Sequence, residues 1–174
     1  MSISRAIESA SAALATFGED KIPVPVEQLA SQLGIRVLRE TLDTDVSGLL
    51  VTNRSGAVIV VNNSDSQARQ RFTIAHEIGH YVLRHQFESG EHVHVDRGNY
   101  ISQRGPRAAQ GIDPREIEAN WFAASLLMPE GLVREAVEQM GAPVLFDNHV
   151  ERLCRTFRVS EQAMTIRLQH LRLL

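Results

Sequence analysis

Residues 71–80 read RFTIAHEIGH, and within them His76 and His80 stand four apart with Glu77 directly after the first. On an α-helix that spacing puts both imidazoles on one face, about 6 Å apart along the axis. Two nitrogen donors so placed can grip one cation. Zinc takes imidazole nitrogen at about 2.0–2.1 Å, which suits donors on adjacent turns. Glu77 lies about 100° around the helix from His76. It is too far round to be a first-choice ligand, but it can reach a water held on a metal. Gly79 keeps the helix surface low and leaves room for a substrate or a neighbouring strand. The same letters can occur by chance, with both histidines merely solvated. The flanks argue against that. Phe72, Ile74, Ala75, Ile78, Val82 and Leu83 make the helix largely apolar, so it should be buried. Burying two histidines and a glutamate is costly unless something satisfies them, and a metal ion does so.

A catalytic zinc normally has three protein ligands and a water. The extended pattern with a glycine and a third histidine after the motif is absent, since Leu83 and Gln86 stand at those places. The remaining source is a glutamate on a later helix. The stretch DPREIEANWFAASLLMP, 113–129, offers Glu116 and Glu118. Glu116 shares a face with Ala119, Asn120 and Ala123, small residues that permit close helix approach. Glu118 shares its face with Phe122 and Ser125. Asn120, one turn after Glu116, can hydrogen-bond a ligand histidine and fix its tautomer. Glu116 also has a purely structural use. Asp113-Pro114-Arg115-Glu116 reads as an N-cap, a proline at the first helical position and an acid at the third, close to a capping box. The residues alone leave both glutamates open and favour Glu116.

Several elements must position these groups. Apolar residues Ile3, Ile7, Ala10, Leu14 and Phe17 fall at helical spacing, which predicts a first helix over 4–17. GEDKIPVP breaks it. A short helix follows at 26–33, with Gly34 as its stop. IRVLRE, SGLLVT and GAVIVVN predict three short strands of a small antiparallel sheet, the last two joined by the turn NRSG. The motif helix should run from 66 to 85, capped by Ser64 or Asp65. Residues 86–112, with four glycines, one proline and no apolar period, read as a long loop. Tyr100, His92, His94 and several arginines there are candidates for an oxyanion donor, and the sequence does not choose among them. His85, at the helix end, is placed to act as a cation against the helix dipole.

Composition narrows the function classes. The chain has 174 residues, 43% hydrophobic and 22% charged, with net charge −3, which suits a globular protein with no strong global pull on nucleic acid or an anionic membrane. Cys154 is the only cysteine, so no internal disulfide forms, and a reduced cytoplasmic setting is expected. No stretch is apolar and long enough to span a bilayer, and the N-terminus lacks a secretory pattern. Lys21 is the only lysine; every other basic side chain is arginine.

Taken together, RQRFTIAHEIGHYVLRH at 69–85 and EIEANWFAASLLMP at 116–129 resemble the ImmA/IrrE family of bacterial metallo-endopeptidases. IPVPVEQLASQLGIRV and FRVSEQAMTIRLQHL are similar to that family's lead-in and tail. The resemblance implies an α+β fold with a zincin-like core, and zinc held by His76, His80 and Glu116, the last placed by the family's Glu-x-x-x-Asn pattern with Asn120. It also implies a frequent protein partner, a helix-turn-helix transcriptional repressor that is cleaved or inactivated. Glu77 is then the catalytic residue, taking a proton from water and returning it to the leaving amine.

The expected organisation is a metallopeptidase domain over 1–130 and a helical C-terminal extension over 131–174 packed on it. In the extension, EGLVREAVEQM forms one helix and two short helices flank the turn FRVS, in helix-turn-helix outline with Ser160 as a cap. Arg152, Arg155, Arg158, Arg167 and Arg172 lie there, but Leu153, Phe157, Val159, Met164, Ile166, Leu168 and Leu171 mark it as a packing element, so direct DNA binding is not expected. Cys154 should be a buried core thiol, and Trp121 and Phe122 core aromatics beside the site. The alternative to a peptidase is a non-proteolytic regulator or toxin-antitoxin component, in which zinc only stabilises a domain that binds a repressor or DNA.

Overall fold

The computed structural model describes residues 2–16, 21–53, 56–85, 92–96, 113–141 and 144–174. Among them are seven helices and one four-stranded sheet: α1 (Ile3–Ala15), α2 (Val26–Gln32), β1 (Ile35–Glu40), β2 (Gly48–Asn53), β3 (Gly56–Asn62), α3 (Gln67–Val82), β4 (His92–Asp96), α4 (Pro114–Leu127), α5 (Glu130–Glu138), α6 (Asp147–Phe157) and α7 (Glu161–His170). The fold is therefore α+β, as the pattern of the sequence predicts. No helix among the described residues is long and apolar enough to cross a membrane.

The sheet order is β1-β3-β2-β4. It is mixed, not antiparallel throughout. β2 and β3 pair antiparallel, but β1 lies on the far side of β3 and runs parallel to it, with Ile35 opposite Ala57. Strand patterns fix which face is apolar and say nothing about neighbour order, so the parallel pair was not legible in them. The sheet also has a fourth strand, β4. It lies inside the stretch read as a loop and pairs antiparallel with β2 at the sheet edge.

One sheet face is buried by alternation: Ala57, Ile59 and Val61 on β3, and Gly48 and Leu50 on β2. α3 covers that face. Its residues from Thr73 to His80 are all buried, so this stretch of the helix is enclosed on every side. Its N-cap is Ser66, whose side chain accepts from the Arg69 amide, one residue beyond the expected pair. Two close approaches fix the packing. A Cβ on Gly48 would strike Thr73 and lie 2.9 Å from the Val60 carbonyl, and one on Gly79 would lie 3.1–3.2 Å from Phe122 of α4. The neighbour that Gly79 admits is thus a helix, and α1 closes the other side of α4.

The core is continuous from α1 to the C-terminal helices, with Leu153, Phe157, Met164 and Leu168 in the same cluster as Ile59, Ile74 and Phe122. Ser160 caps α7, accepting from the Ala163 amide. Arg167 is buried and donates to the Met128 carbonyl. It is therefore withdrawn from the set of arginines that might have met DNA. Cys154 is half-buried against the core, and burial pushes its thiol up.

Candidate metal centre

α3 ends in a turn that shapes the site. Leu83 is its C-cap and Arg84 adopts a left-handed conformation (φ 56°). The His85 amide then donates back to the His80 carbonyl at 3.0 Å, and the Arg84 amide to Tyr81 at 3.2 Å. This paired closure is a Schellman motif. It folds His85 back over His80, so that their Nδ1 atoms lie 2.9 Å apart. His85 Nε2 meets Glu118 Oε2 at 3.0 Å. Burial lowers the affinity of His85 for a proton, against the pull of Glu118. It is a neutral, enclosed ring, not the dipole-facing cation expected from its place at the helix end.

The hydrogen bonds fix which nitrogen of each ring faces inward. A carboxylate only accepts, so the Glu118 contact puts the His85 hydrogen on Nε2. His85 Nδ1 must then accept from His80 Nδ1, which leaves the His80 Nε2 lone pair free to point into the site. His80 stays neutral: burial, reinforced by His76 and His94, brings its pKa to about 3 despite the opposing pull of Glu116. His76 Nδ1 lies 3.0 Å from Asn120 Oδ1. An amide oxygen also only accepts, so His76 too directs Nε2 inward. Asn120 thus does what its place one turn after Glu116 suggested.

The inward atoms converge. His76 Nε2 and His80 Nε2 are 2.9 Å apart. Glu116 reaches them at 3.2 and 3.4 Å. Burial opposes ionisation of Glu116, yet the close ring nitrogens of His76, His80 and His94 outweigh it and hold its carboxyl far below the usual range. Its side chain is 29% exposed, whereas His76 and His80 are sealed, so solvent reaches the cluster from the Glu116 side. Asp113 caps α4 through the Arg115 amide, and Glu116 faces the histidines. Glu118, two residues on and round the helix, is buried with His85, and its Oε1 has no hydrogen-bond partner.

A third histidine completes the group. His94 lies opposite Leu50 in the β2–β4 register. Cross-strand partners project from the same sheet face, so His94 shares the inner face with buried Leu50 and meets α3. Its Nδ1 lies 3.0 and 3.2 Å from the two oxygens of fully buried Glu77. Its Nε2 lies 3.0 Å from Glu116 Oε1. Burial disfavours the charged ring, but hydrogen bonds to Glu116 and Glu77 outweigh it and raise the pKa to about 10. The potential ligand atoms of His76, His80, His94 and Glu116 all lie within 4.8 Å of one another. From sequence alone His94 is one of several loop candidates for oxyanion contact. The signal that singles it out is the alternation HVHV at 92–95, a strand pattern hidden between glycine-rich flanks. Tyr100 and the side chain of His92 lie outside the described residues.

Phe122 is a core aromatic. Trp121 is half-buried, lies against His170 with ring centroids 4.4 Å apart, and borders two cavities of about 110 and 730 Å³. Asn120 lines the smaller cavity, which otherwise lies apart from the histidine cluster.

The chain belongs to the Peptidase M78 family, described as the IrrE N-terminal-like domain, whose pattern matches residues 30–169. It is 37% identical over 84 residues to the radiation response metalloprotease IrrE of Deinococcus radiodurans, covering 48% of this chain and 23% of IrrE. It is 30% identical over 108 residues to an uncharacterized immunity region protein of Bacillus phage phi105, covering 62% of this chain and 61% of that one. The chain thus spans less than two thirds of either relative. In fold it is similar to a Mycobacterium tuberculosis transcriptional regulator, with a TM-score of 0.57 at 18% identity, over 93% of this chain and 47% of that one.

Proposed function

We propose that this protein is a zinc-dependent endopeptidase with a zincin-like core, acting on a regulatory protein, and that a helix-turn-helix repressor is its substrate. The observation that carries this reading is the meeting of His76 and His80 from α3 with Glu116 from α4, beside the buried carboxylate of Glu77. The spacing suits zinc. Ligand atoms of a tetrahedral zinc with bonds near 2.0–2.1 Å stand about 3.3–3.4 Å apart; the contacts of Glu116 with His76 and His80 are 3.2 and 3.4 Å, and the two histidine nitrogens, at 2.9 Å, would spread slightly around an ion. When bound, zinc would acidify water and polarise the scissile carbonyl. His76, His80 and Glu116 would hold the ion, with Asn120 and His85 fixing the ring tautomers. Glu77 would take the proton from the attacking water and pass it to the leaving amine. The immunity-region name of the phage relative accords with a regulatory substrate.

A second reading has one observation in its favour. With His94 as well, four protein groups face one point, and four protein ligands characterise a structural zinc. In that case Glu77 serves only to orient His94, and the protein is a non-proteolytic regulator.

Incubation of the zinc-loaded protein with a candidate helix-turn-helix repressor, followed by mass spectrometry of fragments, separates the two. Glu77→Gln should retain zinc and lose cleavage by about 10²–10⁴-fold, the usual worth of a positioned general base. Equal cleavage by parent and variant would remove Glu77 from the reaction.

A further inference from the structure

Resting on the peptidase reading, we propose that His94 is a fourth, exchangeable metal ligand that closes the site at rest and keeps Glu77 engaged until it is displaced. The geometry of His94 matches that of the other ligands. Its Nε2 stands 3.0 Å from Glu116 Oε1, and its ring centroid lies 4.1 Å from that of His80 and 6.0 Å from that of His76. Its other nitrogen is tied to a carboxylate, as metal-bound histidines usually are, and that carboxylate is Glu77. A divalent cation at the cluster would displace the Nε2 hydrogen of His94 and take its lone pair.

Position in the fold makes His94 the exchangeable member. His76, His80 and Glu116 stand on two helices packed against each other in the core. His94 stands on a five-residue edge strand that pairs only with β2 among the described strands, and its neighbour Val95 is 40% exposed. Edge elements with few buried contacts open at lower cost than core helices. One contact links the two parts of the device: the hydrogen bond from His94 Nδ1 to Glu77 both aims the ring and occupies the base. Withdrawal of His94 would release both together. The exchange transfers no electrons and no proton. His94 gives up its Nε2–metal bond and keeps its Nδ1 hydrogen, and one oxygen lone pair of water or substrate takes the place.

The test uses the full chain loaded with cobalt(II), with inner-sphere imidazoles counted by X-ray absorption. Three imidazoles are expected in the parent and two in His94→Gln, whose metal affinity should fall at least about tenfold. Saturating acetohydroxamate added to the parent should lower its count from three to two. The parent measurements decide the matter even if the variant fails to fold. Two imidazoles in the untreated parent would overturn the role of His94 and leave the peptidase reading to the Glu77→Gln comparison. Three that persist under acetohydroxamate would overturn the exchange. A chain that binds no ion would sink the peptidase reading itself.

Discussion

Glu118 shows how a residue outside the ligand set can govern it. Its carboxylate holds the His85 hydrogen on Nε2, and that choice propagates through Nδ1 to His80. Glu118→Gln can offer the same contact through its amide nitrogen, which would reverse both tautomers. Metal affinity should then fall about 10–100-fold, measured by competition with a chromogenic chelator. Unchanged affinity would show that His80 is oriented by its backbone alone. The loss from Glu116→Ala should be larger than that from Glu118→Ala. The sequence made His76, His80 and Glu77 legible because one helical turn fixes their relation, and the same holds for Glu116 with Asn120. It misjudged His85, since only the left-handed turn at Arg84 decides whether the ring points outward or folds back.

Among elements, β2 and α3 set the depth of the site. Gly48 lies where a side chain would meet the Val60 carbonyl and Thr73. A backbone carbonyl in a paired strand cannot step aside, so Gly48→Ala should destabilise the fold by about 1–3 kcal/mol. Urea unfolding checks this; an unchanged midpoint would mean that the sheet yields freely to α3. His94 belongs to this scale too. Its side is set by the strand pairing that puts it opposite Leu50. Pairing across 44 residues of chain depends on tertiary contacts that no local pattern encodes. That is why local patterning gives a loop at 92–96, whereas it gives the helices, whose periods are local.

At the scale of the molecule, an ion held by α3, α4 and β4 would tie the sheet edge to the buried helices. Ligand that binds only the folded state adds about 2.7 kcal/mol at one hundred times its dissociation constant. For a chain of this size, that corresponds to a midpoint shift of roughly 5–10 °C. Chelator should therefore lower the thermal midpoint by that order in calorimetry, and no shift would argue that the ion does not span these elements. The arginine-rich composition also acquires a purpose here. Arg71 donates to the Val24 and Arg158 carbonyls, Arg134 to Leu171 and Arg167 to Met128, binding distant segments through backbone oxygens. From sequence, such side chains are indistinguishable from a basic surface.

α1 precedes the span that the family pattern covers, 30–169. Yet it seats Ala6, Ala10 and Leu14 in the core, and Arg5 donates to the Leu83 carbonyl at the very turn that returns His85 to His80. Ancestry and mechanical support therefore have different borders in this protein. An expression limit drawn along the shared segment would retain His76, His80, His94 and Glu116 while discarding the brace that keeps one of them aimed.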